Sequence, residues 1–346
     1  MEMRALGRTE LRVSLICLGT MTWGEQNTAE DAFAQIERAL QHGVNFIDLA
    51  EMYPVPPRAE TQGATETIMG QWLAQNKKKR KQLIIASKVT GRSKNFDYLG
   101  RGETRLDRVQ MTRALEGSLK RLQTDYIDLY QLHWPERTTN YFGQLDYTYR
   151  EEETIALSET LEVLADFIRE GKIRYIGLSN ETPWGLMDAI RASEQRVLPR
   201  VVSIQNPYNL LNRSFEVGLA EIAIREQVGL LAYSPLAFGV LSGKYLEGKR
   251  VENTRLTLFD RFQRYSGKMA EEATRRYVEI AQEYGLRPAQ MALAFINRQP
   301  FVTSNIIGAT TLEQLEENLT SVNVVLPGKA INEINAVHRE ISNPCP

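Results

Sequence analysis

The 346-residue chain predicts an α/β protein folded as a closed (β/α)8 TIM barrel with an N-terminal β-hairpin and long βα loops, and three observations carry that prediction. Eight short apolar runs of β-type composition alternate with amphipathic helical patterns along almost the whole length. Most of these runs are continuously apolar, as strands must be when helices cover one face and a barrel interior the other. No repeat beyond the βα period, low-complexity tract or composition shift divides the chain, so 1–346 is read as one domain, a length such barrels reach when their loops carry insertions.

Residues 3–14 read as two short strands around Gly7-Arg8, a hairpin placed to plug the bottom of the barrel. Barrel strands are predicted at 16–19, 46–49, 83–88, 127–133, 173–179, 201–205, 229–234 and 305–308. In the first helix Thr28 caps, Asp31 sits three residues on, Phe33, Ile36 and Leu40 share a face, and Gly43 closes the end. In the fourth, Leu161, Leu164, Ala165 and Ile168 form the apolar stripe before Gly171. The last barrel helix opens on Thr311-Leu-Glu-Gln314, a capping-box spacing, with Leu312, Leu315 and Leu319 facing inward. Connections 89–107, 134–158 and 236–268 are long and follow strands, so they rise from the face where barrels place substrate and cofactor loops.

A hydrophobic fraction of 42% and a charged fraction of 25% suit a chain with a large buried core, and a net charge of −1 offers no field to attract nucleic acid or anionic lipid. The one basic run, 77–81, follows a helical pattern and reads as a solvated helix end, where cations favour the helix dipole. Cys17 and Cys345 make no disulfide framework, the N-terminus has no signal-peptide core, and no stretch is long enough to span a bilayer. A cytoplasmic location is expected.

The chemistry is expected at the C-terminal ends of consecutive strands. Asp48 and then Tyr53 follow the second strand, Lys88 ends the third and His133 the fourth, and strands about 4.8 Å apart let these side chains converge. Taken singly, Asp48 reads as a turn cap, Tyr53 as a loop anchor, Lys88 as a strand-end charge and His133 as structural. As a set they read differently: a buried lysine favours the phenolate and lowers a neighbouring tyrosine's pKa, an aspartate holds the lysine, and a histidine adds a hydrogen bond to a carbonyl oxygen. Reduction needs a hydride donor, yet no G-x-G-x-x-G occurs, and Gly239-Val-Leu-Ser-Gly-Lys244 falls short of a P-loop. The three histidines make no metal-ligand spacing.

Several stretches carry a family resemblance, in order along nearly the whole chain. They are Cys17-Leu-Gly-Thr-Met-Thr-Trp23, Phe46-Ile-Asp-Leu-Ala-Glu-Met-Tyr53, Ser87-Lys88, Asp128-Leu-Tyr-Gln-Leu-His133, Gly171-Lys-Ile-Arg-Tyr-Ile-Gly-Leu-Ser-Asn180, Gln205-Asn-Pro-Tyr208 and Tyr233-Ser-Pro-Leu236. Together they resemble the aldo-keto reductase superfamily, and the segments 50–57 and 209–219 resemble bacterial members near its potassium-channel β-subunit branch.

The resemblance implies NADPH bound across the C-terminal face and an NADP(H)-dependent oxidoreductase acting on a small carbonyl compound. Asp48, Tyr53, Lys88 and His133 match the catalytic tetrad. Ser179, Asn180 and Gln205 match positions that hold the nicotinamide carboxamide, and Tyr233 matches the aromatic that stacks on its ring. Ser234, Pro235, Leu236, Gly239, Leu241, Gly243, Lys244 and Arg255 fall in the loop over the pyrophosphate and ribose. Gly308, Thr310, Gln314, Glu317 and Asn318 match the adenosine end, while Thr22, Trp23 and Asp48 also fall among the cofactor positions. A helix N-terminus there, with Lys244 or Arg255 for a 2′-phosphate, favours NADPH over NADH. Trp23, Trp134 and the long loops are expected to wall the substrate. A cofactor-sensing or interaction subunit with slow turnover is the competing expectation, and Schiff-base chemistry at Lys88 ranks last because Asp48 would keep that amine charged.

Overall fold

The computed structural model describes residues 1–100 and 102–346. An antiparallel hairpin, β1 (Met3–Ala5) and β2 (Arg12–Ser14), precedes the barrel. Its strands are β3 (Ile16–Gly19), β4 (Phe46–Asp48), β5 (Ile84–Val89), β6 (Ile127–Leu132), β7 (Ile173–Ser179), β8 (Val201–Pro207), β9 (Gly229–Tyr233) and β10 (Val302–Ile307). All eight are parallel and close into a barrel when β10 pairs with β3. Outside them lie α1 (Ala29–Gln41), α2 (Ala64–Gln75), α3 (Arg108–Leu122), α4 (Leu157–Arg169) and α5 (Pro183–Arg196). The short α6 (Phe215–Gly218) and α7 (Ala220–Arg225) precede β9, and α8 (Arg255–Leu258) interrupts the long loop after it. The chain then forms α9 (Lys268–Glu283), α10 (Pro288–Asn297), α11 (Leu312–Thr320) and α12 (Gly328–Glu340).

The local signals explain the elements. Thr28 and Asp31 make a reciprocal capping box on α1, and Gly43 takes a left-handed φ of 78° just past the helix. β10 starts three residues earlier than the sequence suggests. Thr303 and Ser304 are polar, yet both are buried, and the Ser304 hydroxyl donates to the Ser14 carbonyl at 2.7 Å, so the polar residues are accommodated inside the sheet. Among the described residues, no helix is long and apolar enough to cross a membrane.

Side chains alternate between the two faces of the barrel wall. Ile47, Ile85 and Tyr130 turn outward under the helices, while Cys17, Phe46, Ala86, Leu129, Leu231 and Ile306 turn inward as an apolar layer. Leu6 and Val13 of the hairpin join that inner layer, as the plug expected from the sequence. The basic run is a correction. Residues Lys77–Gln82 form a separate 3₁₀ turn after α2, in which Arg80 is buried and its guanidinium donates to Asp128 at 2.8 Å and to the Tyr126 carbonyl at 2.7 Å. Lys79 pairs with Glu37. The run is thus partly a wall element rather than a solvated helix end, because Asp128 on β6 supplies a buried acid for it.

Candidate active site

Above the apolar layer the interior turns polar. Lys88 comes off β5 fully buried, and its ammonium donates to Asp48 Oδ2 at 2.6 Å, the Leu49 carbonyl at 2.8 Å and the Tyr53 hydroxyl at 3.4 Å. Its three donors therefore have three acceptors. His133 follows β6, and its ring meets the Tyr53 ring edge-on at 5.7 Å. The four side chains named from the strand ends thus converge at one place.

Burial is the largest influence on Tyr53, Lys88 and His133. It pushes the Tyr53 hydroxyl above its usual value, and the lowering by Lys88 is outweighed. The expectation of a net depressed tyrosine is corrected on that point: the phenolate loses more hydration than one cation at 3.4 Å returns. Burial pulls Lys88 down, but Asp48 and Tyr53 together carry it above its ordinary value. His133 is held well below the usual imidazole range by burial and then by Lys88, so it is neutral near pH 7.

A cavity of about 540 Å³ opens over these groups. On one side are Ser179, Asn180, Gln205, Tyr233, Ser234 and Pro235 from the ends of β7, β8 and β9. Asn180 sits at a left-handed φ of 54°, which lets its amide donate to the His133 carbonyl at 2.8 Å and accept from the Tyr233 hydroxyl at 2.6 Å. On the other side Phe96, Trp134, Tyr141 and Phe142 make an aromatic wall, with Met52 beside it. Gly91 is required there, since any Cβ would overlap the Trp134 ring, whose indole N–H donates to the Arg92 carbonyl at 3.0 Å.

The donor set at the rim suits a ligand carrying anions. Arg255 and Arg261 line the cavity and, among the described residues, neither has a carboxylate partner. Burial pulls the Arg255 guanidinium down to about 10, the penalty of a cation lacking a counter-charge. Lys244, in the loop after β9 and outside the cavity lining, stacks its ammonium over the Tyr245 ring and, among the described residues, has no acid partner. Gly308 lines the cavity beside the N-terminal end of α11. These residues fit a dinucleotide's phosphates.

The remaining sequence-named residues lie outside the cavity lining. Thr22 is buried, as is Leu241, and Leu236, Gly239, Gly243 and Lys244 belong to the loop after β9, outside the cavity lining. Thr310 and Gln314 bond each other, Glu317 pairs with Arg287 at 3.5 Å, and the buried Asn318 donates to the Gly308 carbonyl. Trp23 requires correction as a substrate wall. It is fully buried outside the cavity and donates its indole N–H to Gln35 on α1 at 2.8 Å, so it anchors a loop to a helix. Sequence reasoning missed Phe96, Tyr141, Phe142 and Arg261, which lie in loops without periodicity, and Gln131, an amide within an apolar strand.

Comparison with known proteins places the chain in a family. Residues 15–339 match the aldo/keto reductase family. The chain is 54% identical to the protein tas of Escherichia coli over the full length of both. It is 30% identical to the L-glyceraldehyde 3-phosphate reductase of E. coli, over 93% of this chain and 88% of that one. It is also 30% identical to a probable voltage-gated potassium channel subunit beta of rice, over 97% and 96% respectively. The chain therefore belongs to the aldo/keto reductase family, oxidoreductases of small carbonyl compounds.

Proposed function

We propose that this protein reduces an aldehyde or ketone to the alcohol with NADPH, Tyr53 protonating the carbonyl oxygen. The observation that carries the reading is the buried Asp48–Lys88–Tyr53 chain beneath a cavity with His133 on its wall. When bound, the dinucleotide supplies hydride to the carbonyl carbon. Tyr53 stays protonated at neutral pH and is available as the acid, and Lys88 stabilises the phenolate left behind. Asp48 keeps Lys88 in place. His133, neutral at this pH, donates a hydrogen bond to the same substrate oxygen.

Ser179, Asn180 and Gln205 are proposed to hold the carboxamide and Tyr233 to stack on the ring. Arg255 and Lys244, which among the described residues have no acid partner, are proposed for the phosphates, which favours NADPH over NADH. The aromatic wall suits an aromatic or apolar carbonyl compound. Two unpaired thiols, Cys17 and Cys345, accord with a reducing, cytoplasmic setting.

The test is steady-state oxidation of NADPH and of NADH by a panel of benzaldehyde, 4-nitrobenzaldehyde and methylglyoxal, alongside fluorescence titration of both cofactors. Turnover with NADPH and weaker NADH binding are expected. Equal affinity for the two would contradict the phosphate assignment, and no aldehyde-dependent oxidation would contradict the reductase reading. Similarity to a channel β subunit supports a second reading, cofactor sensing with slow turnover.

A further inference from the structure

Gln131 is fully buried on β6, in a strand whose other inward residue below it is Leu129. Its amide nitrogen donates to Asp48 Oδ1 at 3.1 Å. The Gln205 amide nitrogen donates to the same oxygen at 2.8 Å and to Gln131 Oε1 at 3.1 Å. A carboxylate only accepts, so both amides must turn their NH2 groups toward Asp48, and the orientation of the whole cluster follows. Asp48 is then fully engaged: Oδ2 with Lys88, Oδ1 with the two amides. Gln205 Oε1, uninvolved in these bonds, belongs to a residue that lines the cavity.

The barrel keeps space for this amide. Gly177 on β7 pairs in register with Gln131, and a Cβ there would lie 3.0 Å from Gln131 Cγ and 2.7 Å from Ser203 Oγ. Packing alone would be served by another leucine, as one layer below, without the cost of burying an amide.

We propose that Gln131 is a positioning residue that ties the proton-donating side of the site to the side that takes the cofactor carboxamide. The inference rests on the function proposed above. When Gln205 engages a ligand, Gln131 is the donor that remains on Asp48 Oδ1, so the aspartate keeps Lys88 under Tyr53. The same amide oxygen braces Gln205 and fixes the direction its carbonyl faces.

The test uses the full-length protein, NADPH and 4-nitrobenzaldehyde with three variants: Gln131→Leu, Gln131→Glu and Tyr53→Phe. A carboxyl introduced at this position makes the same two bonds when protonated, donating to Asp48 and accepting from Gln205, and repels Asp48 when ionised. Position 131 bonds Asp48 from β4 and Gln205 from β8, pairs in register with Lys88 on β5 and meets Gly177 on β7, so a carboxyl there has Asp48 as its hydrogen-bonded like charge and Lys88 as the neighbouring cation. Losing a donor to a charged acceptor predicts that kcat of Gln131→Leu falls roughly 10- to 100-fold at every pH, with a weaker fluorescence-measured NADPH Kd. Gln131→Glu is expected to approach the parent rate at low pH and to fall toward or below Gln131→Leu as pH rises. Parent values of kcat and Kd in Gln131→Leu overturn the proposal, as does a ratio of Gln131→Glu to parent rate that is constant with pH. That ratio decides the matter even if Gln131→Leu does not fold. If Tyr53→Phe is as active as the parent, the reading of the site fails; if it is inactive while Gln131→Leu is normal, only this inference does.

Discussion

The barrel interior holds two layers of similar depth and opposite character. The lower one, around Phe46, Ala86, Leu129 and Leu231, is apolar and sealed by Leu6 and Val13. The upper one holds Asp48, Lys88, Gln131 and Gln205, all buried, joined by hydrogen bonds of 2.6–3.1 Å. The lower layer stabilises by removing apolar area from water. A buried ion pair gains little over an apolar core of the same volume. On the proposed function the upper layer is kept for what it does to Tyr53, so stability and activity should separate cleanly between the two.

The largest effect tests that separation in the upper layer. Lys88→Met is expected to lower kcat by roughly 10²- to 10⁴-fold, the range of a lost acid–base arrangement. It leaves Asp48 buried without its cation, so unfolding free energy should fall by about 3–5 kcal/mol. Adding Asp48→Asn should recover much of that stability and none of the activity; recovery of activity would show that the pair is not part of the chemistry. Next is the lower layer, where Leu129→Ala should cost about 2–5 kcal/mol in urea unfolding while the folded enzyme keeps its kcat. A large kcat loss there would join the two layers.

Smaller still is Arg255→Met, expected to weaken NADPH binding by roughly 10- to 100-fold, the loss of charge-assisted hydrogen bonds, with NADH binding little changed. The smallest effect is that of pH on His133. Its folded pKa lies below the unfolded value near 6.5, so the unfolded chain binds the extra proton. Stability contributed by this residue is therefore present above about pH 6.5 and lost as pH falls below it, by at most about 1.4 kcal/mol per unit. Thermal midpoints of the parent and His133→Asn between about pH 5 and 7 check the sign.

The two layers also differ in how far they could be read in advance. Continuous apolar runs located the strands, because burial on both faces leaves that mark in the chain. Tyr53, Asp48, Lys88 and His133 were legible because strand ends in consecutive βα units must meet. Gln131 was not: an amide inside an apolar run takes its meaning from Asp48 and Gln205, which lie 83 and 74 residues away. Arg80 was misread for the same reason, its partner Asp128 being 48 residues on. Trp23 looked like a loop aromatic until its bond to Gln35 placed it against α1. The aromatic wall at Phe96, Tyr141 and Phe142 comes from loops, where no period announces which side chains turn inward.

Whether Tyr53 delivers the proton in carbonyl reduction is decided by single-turnover kinetics. Enzyme preloaded with NADPH would be mixed with each aldehyde in a stopped-flow instrument, and loss of cofactor absorbance followed for the parent and for Tyr53→Phe. Aldehyde-dependent oxidation is expected in the parent, and a rate at least about 10²-fold slower in the variant. Equal rates in the two, for every aldehyde, would contradict proton delivery by Tyr53 and favour a cofactor-sensing subunit.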